Sequence, residues 1–193
     1  MAARARSLAL AGDIGRLCRA LAVALLLAAA WPAAAAVRIS FHSKDFGATF
    51  PHAFIVLEGT LDSTGEPVAG NYGFTVRHLI GPSVLFGPVK GEVISEGAAY
   101  VAGSNYHFAM TLSDDRYGAV MEVVDRWRSL PQPSYLLDRR NCVSFVAEVA
   151  AVLGLAADPR GSMRRPRAFL DRVRRDNLSA IAVAGGQTPM TGR

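Results

Sequence analysis

The stretch Arg140-Asn141-Cys142-Val143-Ser144-Phe145-Val146 constrains this chain more than any other. Asparagine is a natural N-cap residue. Val143, Val146, Val149, Ala150 and Leu153 follow it on or near one helix face, and Gly154 is a good stop. Cys142 therefore falls in the first turn of an apolar helix, which must bury that face against other elements. A helix N-terminus carries partial positive charge and unpaired N–H groups. Such a position is expected to lower a thiol pKa and to offer donors to an oxyanion formed beside the sulfur. Cys142 reads as a nucleophile.

The first segment sets the expected compartment. Arg4, Arg6, Arg16 and Arg19 precede an apolar run from Ala20 to Ala30, followed by Trp31-Pro32 and four alanines. A basic region, a short apolar core and small residues at a cleavage point describe a secretory signal peptide. The core is shorter than the roughly 20 residues of a membrane-spanning helix. The expectation is a signal at 1–36 and a single domain at 37–193, exported to the periplasm or secreted. Cys18 leaves with the signal, so Cys142 is the only thiol of the mature chain. A lone exported thiol makes no internal disulfide and is either buried and inert or kept for reactivity.

Removing the signal lowers the net charge from +5 to about +2, so the basic pI says little about nucleic acid. What remains is uneven. Residues 160–175 hold seven arginines against Asp171, whereas 37–159 hold nine basic and thirteen acidic residues. A basic C-terminal segment can touch an anionic surface peripherally, and it can equally be a solvated helix face. No basic–aromatic interleaving supports nucleic-acid binding. One cysteine and four scattered histidines give no Cys-x-x-Cys or His-Glu-x-x-His spacing, and no glycine-rich phosphate loop occurs. No metal or other cofactor is expected.

Alternation predicts a strand over 37–41, a loop over 42–47 and a strong strand over 51–58. Gly59 to Gly70 reads as a long hairpin loop and Asn71 to His78 as the returning strand. Two more strands are expected over 85–94 and 100–112. A helix capped by Ser113 or Asp114 follows, with Tyr117, Val120, Met121, Val124 and Trp127 on its apolar face. After Pro131-Gln132-Pro133 an extended approach leads into the Cys142 helix. A last helix starts at Pro166 and runs to about Asp176, before a short apolar strand or coil over 178–184 and a frayed tail.

A cysteine nucleophile needs a base, which a third polar group commonly orients. Of the four histidines, His52 is best placed, at the mouth of an apolar strand after a proline. A hairpin centred near Gly65 would set His78 almost opposite His52 at its open end. His78 is then the candidate third member, with Asn71, nearer the closed end, as its rival. His107 on a later strand reads as structural. His42, on a loop, is available to a substrate site. Tyr135 can offer a hydroxyl near the thiol, and Asn141 reads as the cap.

The order Pro-His-Ala-Phe-Ile-Val-Leu on an early strand, a returning strand, then Asn-Cys-Val-Ser-Phe-Val at a helix start resembles the circularly permuted NlpC/P60 proteins. These form a papain-like branch related to the lecithin–retinol acyltransferase-like proteins. The resemblance spans about Phe50 to Leu155. It implies an α+β papain-like fold, with an antiparallel sheet packed against the cysteine-bearing helix. It also implies Cys142 as nucleophile, His52 as base and a second histidine, matched by His78, as third member. Val143 stands where the acyltransferases carry an acidic residue, so lipid acyl transfer is not specifically implied. The expected function is an exported thiol hydrolase, an amidase or peptidase acting on cell-wall peptide, with a lipid ester as second choice. The alternative is a non-catalytic envelope protein of the same fold that binds an anionic surface through its basic segment.

Overall fold

The computed structural model describes residues 36–45, 51–76 and 83–186. The expected signal segment up to residue 35, the expected role of His78 and the tail from 187 lie outside them. In chain order the elements are β1 (Val37–Lys44), β2 (His52–Thr60), β3 (Pro67–Val76), α1 (Ser83–Phe86), β4 (Gly91–Ile94), α2 (Ala98–Ala102), β5 (Asn105–Leu112), α3 (Asp114–Arg128), α4 (Cys142–Val152), α5 (Pro166–Asp176) and α6 (Leu178–Val183).

The fold is α+β. Its five strands form one antiparallel sheet in the order β4-β3-β2-β1-β5. Alternation on β1 turns Val37, Ile39 and Phe41 into the core, where Phe41 stacks on Phe108 of β5. Helix α4 packs on β2 and β3, α5 packs on β1 and β5, and α3 lies against α4. Val120, Val124 and Trp127 are buried on the face of α3 that the spacing predicted, with Tyr117 and Met121 half-buried at its rim. Trp127 meets Phe74 and Phe145 edge-on, which locks α3, α4 and the sheet together.

Several boundaries differ from the sequence reading. The strand expected over 85–94 is helix α1, a bridge from Val89 to Tyr135, and then the short β4. Gly87-Pro88 breaks the run, because proline has no N–H for a ladder, and only Gly91 to Ile94 pair with β3. The strand expected from 100 starts at Asn105 instead, after helix α2 ends at Gly103. The segment over 178–184 is helical. His42 lies within β1 rather than on a loop, and is held by the hydroxyls of Ser104 and Ser40 at 2.9 and 3.0 Å. The β2–β3 hairpin is tighter than expected. Ile55 pairs with Tyr72 and Thr60 with Pro67, a register that brings Thr75 to the level of His52.

Both sheet edges are covered. On β4 the Gln132 side-chain amide accepts from the Gly91 N–H at 3.0 Å and donates to the Gly91 carbonyl at 2.9 Å. On β5 the Thr111 N–H donates to the Ala184 carbonyl at 2.9 Å. Such covers stop an edge from recruiting another strand.

Candidate active site

Cys142 is the first residue of α4, and a reciprocal cap fixes it there. The Asn141 side-chain oxygen accepts from the Val143 and Ser144 N–H groups at 2.8 and 3.3 Å, while Ser144 Oγ accepts from the Asn141 N–H at 2.7 Å. The Asn141 side-chain nitrogen donates to the carbonyls of Leu137 and Met163 at 2.6 and 2.7 Å. One buried amide thus holds the approach loop, the helix start and the segment before α5 around the thiol. The backbone N–H groups of Ala53, Val143 and Cys142 lie near Sγ and favour its thiolate.

The thiol is not acidified. Burial pushes it up to about 11, more than the three N–H groups and the helix N-terminus pull it down. The expectation of a lowered thiol pKa is therefore corrected: the position supplies the right donors, but the side chain is only 5 % exposed. His52, at the start of β2, is 6 % exposed, and burial drives its imidazole down to about 4. Neutral thiol and neutral imidazole are the resting forms near pH 7.

Cys142 and His52 face one cavity of about 290 Å³, together with Glu96, Tyr100 and Tyr135. No hydrogen bond joins thiol and imidazole directly. His52 Nε2 is buried without a hydrogen-bond partner and stands 3.8 Å from Glu96 Oε1. That separation is too long for a hydrogen bond and becomes an ion pair only when the imidazole is protonated. Glu96 is raised from the ordinary carboxylate value by burial. Tyr135, buried and stacked on Phe74, is likewise raised by burial and by its proximity to Cys142.

The imidazole fits because residue 73 has no side chain. A Cβ on Gly73 would stand 2.3 Å from His52 Nε2 and 3.0 Å from the Phe54 Cβ. His52 is thus set between β3 and the ring of Phe54, which stacks on it at 6.0 Å. Asn71, the rival for orienting the base, acts one step away. Its side chain accepts from the Glu96 N–H at 2.6 Å and donates to the Glu96 carbonyl at 3.0 Å, and its carbonyl accepts from Ser95 Oγ at 2.7 Å. Asn71 positions the loop that carries Glu96, and Glu96 faces the histidine. Sequence reasoning missed Glu96, because only the pairing of β3 with β4 brings it near His52. An isolated glycine inside a strand signals a close approach, and Gly73 was the available clue.

A second cavity, of about 250 Å³, opens on the other side of Cys142 and shares Pro51, Tyr135 and Leu137 with the first. Elsewhere, His107 Nε2 meets Ser43 Oγ at 2.8 Å and His107 Nδ1 meets Asp171 Oδ1 at 2.9 Å. The contacts follow a serine–histidine–aspartate order, but Ser43 is fully buried and lines neither cavity. The trio ties β1, β5 and α5 together, in keeping with the structural reading of His107.

Three of the seven arginines of the basic segment are ion-paired within the fold. Arg160, Arg164 and Arg167 pair with Asp158, Asp138 and Asp45. Asn177, which opens an Asn-Leu-Ser sequon, is 8 % exposed and bonded to the Ala156 N–H, the Ala156 carbonyl and the Val173 carbonyl. Among the described residues no three metal-ligating side chains converge, and no helix is long and apolar enough to cross a membrane. No family model, curated protein or solved structure matches the chain.

Proposed function

We propose that this chain is a thiol hydrolase of the papain-like kind, with the circularly permuted NlpC/P60 arrangement, and that it cleaves amide or ester bonds. The observation that carries the reading is a buried His52 with an unpartnered Nε2, sharing one cavity with a thiol at a helix N-terminus and with Glu96. With Nε2 turned to Glu96, Nδ1 is the nitrogen left for the thiol proton. In the reaction Cys142 Sγ attacks the carbonyl carbon and its proton passes to His52. The oxyanion forms beside the Cys142 N–H, with the Ala53 N–H and the Tyr135 hydroxyl as further donors near the sulfur. Collapse breaks the bond to the leaving group, which takes the proton from His52. Water, deprotonated by His52, then cleaves the thioester and restores the thiol. Glu96 takes the third place that the sequence assigned to His78. The export signal expected at 1–36 directs the proposal to cell-wall peptide as substrate, in the periplasm or outside the cell, with a lipid ester second.

One observation favours a second reading, a non-catalytic envelope protein of the same fold. The thiol is raised to about 11 and no hydrogen bond joins it to the imidazole. Its proposed anionic-surface contact falls to the arginines of 160–175 that are not ion-paired within the fold. An acylation burst separates the readings. The chain from Val37 onward is mixed with 4-nitrophenyl acetate, and the stoichiometry of early nitrophenolate release is read with intact mass. Hydrolase chemistry predicts one equivalent and one acetyl group on Cys142, absent in Cys142→Ala and at least tenfold slower in His52→Ala, as expected for loss of a general base. A slow release that neither substitution changes overturns it.

A further inference from the structure

Building on the hydrolase reading, we propose that the cavity on the Met163–Pro166 side of Cys142 is the acyl subsite, and that it selects a short aliphatic acyl group ending in a carboxylate. The assignment starts from the two cavities that meet at the thiol. His52 and Glu96 line only the first. The imidazole must protonate the departing amine or alcohol, so the leaving group occupies that side. The acyl carbon, bonded to Sγ, must then extend into the second cavity.

The walls of the second cavity set the chemistry of what enters. Leu85, Leu137, Met163 and Pro166 present apolar surface, and Leu85 is 52 % exposed at the rim. The charged residue among its walls is Arg164. Arg164 donates through Nε and Nη2 to the two Asp138 oxygens at 2.6 and 2.8 Å, a fork that fixes the guanidinium in place. Beyond Arg164 the groove opens into a shallower depression lined by Arg165, Arg167, Asp45 and Asp171. Arg167 engages Asp45, and His107 engages Asp171. Arg165 has no carboxylate partner among the described residues, so its guanidinium is the one at this mouth left free to meet a carboxylate, with Asp171, whose His107 partner burial keeps neutral, across the same depression. An acyl chain crossing the apolar walls would bring its far end to Arg164 and Arg165. Met163, Arg164, Arg165 and Pro166 all lie outside the stretch that carries the family resemblance, so the far, charged end of this subsite comes from this chain's own C-terminal segment.

Chemical balance is that of the hydrolysis above. The Sγ–acyl bond forms as the bond to the leaving group breaks, the thiol proton goes to the leaving group by way of His52, and water releases the acid. The test compares mono-4-nitrophenyl adipate with 4-nitrophenyl hexanoate, which have the same chain length and differ in the terminal carboxylate. The expected ratio of kcat/KM is about fivefold in favour of adipate, the size of one solvent-screened ion pair. It falls to near one in Arg165→Ala and persists in Arg175→Ala, an exposed arginine away from the groove. A ratio at or below one in the parent chain, or a ratio unaltered by Arg165→Ala, overturns the proposal. If neither ester is cleaved faster than by Cys142→Ala, the hydrolase reading fails. The subsite is then judged by labelling Cys142 with 6-maleimidohexanoate and N-hexylmaleimide. A carboxylate preference that depends on Arg165 supports it, and equal rates overturn it.

Discussion

Adding one methyl group to β3 tests the placement of His52 more directly than removing the histidine. Gly73→Ala puts a Cβ 2.3 Å from Nε2 and 2.9 Å from Cε1 of the imidazole, where ordinary contacts begin at 3.4 Å. The ring must retreat by about 1 Å, and Phe54, stacked on it and fully buried, gives it little room. Overpacking of this kind costs about 1–3 kcal/mol. The lower unfolded-state entropy of alanine, with no positive φ at residue 73, returns about 0.4–1 kcal/mol. The expected loss is therefore about 1–2 kcal/mol in urea unfolding. Turnover of an activated ester should fall far more than stability, by about a hundredfold, since a misplacement of 1 Å is costly to catalysis. The decisive assay is a double-mutant cycle with His52→Ala. Once the ring is gone, the tight contact left to alanine at 73 is the Phe54 Cβ at 3.0 Å, so Gly73→Ala should cost much less than in the parent, with a coupling of about 1–2 kcal/mol. Additive stability effects, or full activity in Gly73→Ala, would refute the reasoning.

Four further outcomes are expected. Because His52 is held at about 4 when folded, against 6.5 when exposed, its contribution to stability is complete above pH 6.5 and is lost as pH falls from 6.5 to 4. The loss amounts to about 3 kcal/mol and should be absent from the pH dependence of unfolding of His52→Gln. The acid limb of kcat/KM should accordingly lie near pH 4 rather than near 6.5, because a base must be neutral to accept the proton. Asn141→Ala removes a helix cap and two carbonyl partners, so it should cost about 3 kcal/mol by urea titration and expose Cys142 to faster alkylation. Asp171→Asn should cost about 1–3 kcal/mol through the buried His107–Ser43 chain, yet leave the alkylation rate of Cys142 within about twofold of the parent.

Local signals made much of this legible. The start of α4 is written in Asn141, Cys142 and Ser144, that of α5 in Pro166, and the apolar stripe of α3 in its spacing. What the sequence did not disclose depends on pairing between distant segments. Glu96 reaches His52 only because β4 lies beside β3, and its backbone is held by Asn71, 25 residues earlier. A short apolar run such as 84–86 fits a helical turn as readily as a strand, so α1 was read with the wrong period. The hairpin register rested on a presumed symmetric loop, and pairing that continues to Thr60 and Pro67 shifted it. The thiol's acidity was inverted for a related reason. A helix N-terminus is visible in sequence, but the depth at which the fold places it is not.

That depth bears on how the protein ages. Oxidants and stray disulfides attack the thiolate, and each unit of pKa changes the thiolate fraction tenfold. A thiol at about 11 instead of 9.0 presents about a hundredfold less thiolate at pH 7. The same burial that leaves Cys142 waiting for a substrate to complete its surroundings also shelters it between encounters. A chain whose only thiol beyond the first segment is Cys142 can then spend long periods among oxidants and keep its sulfur reduced.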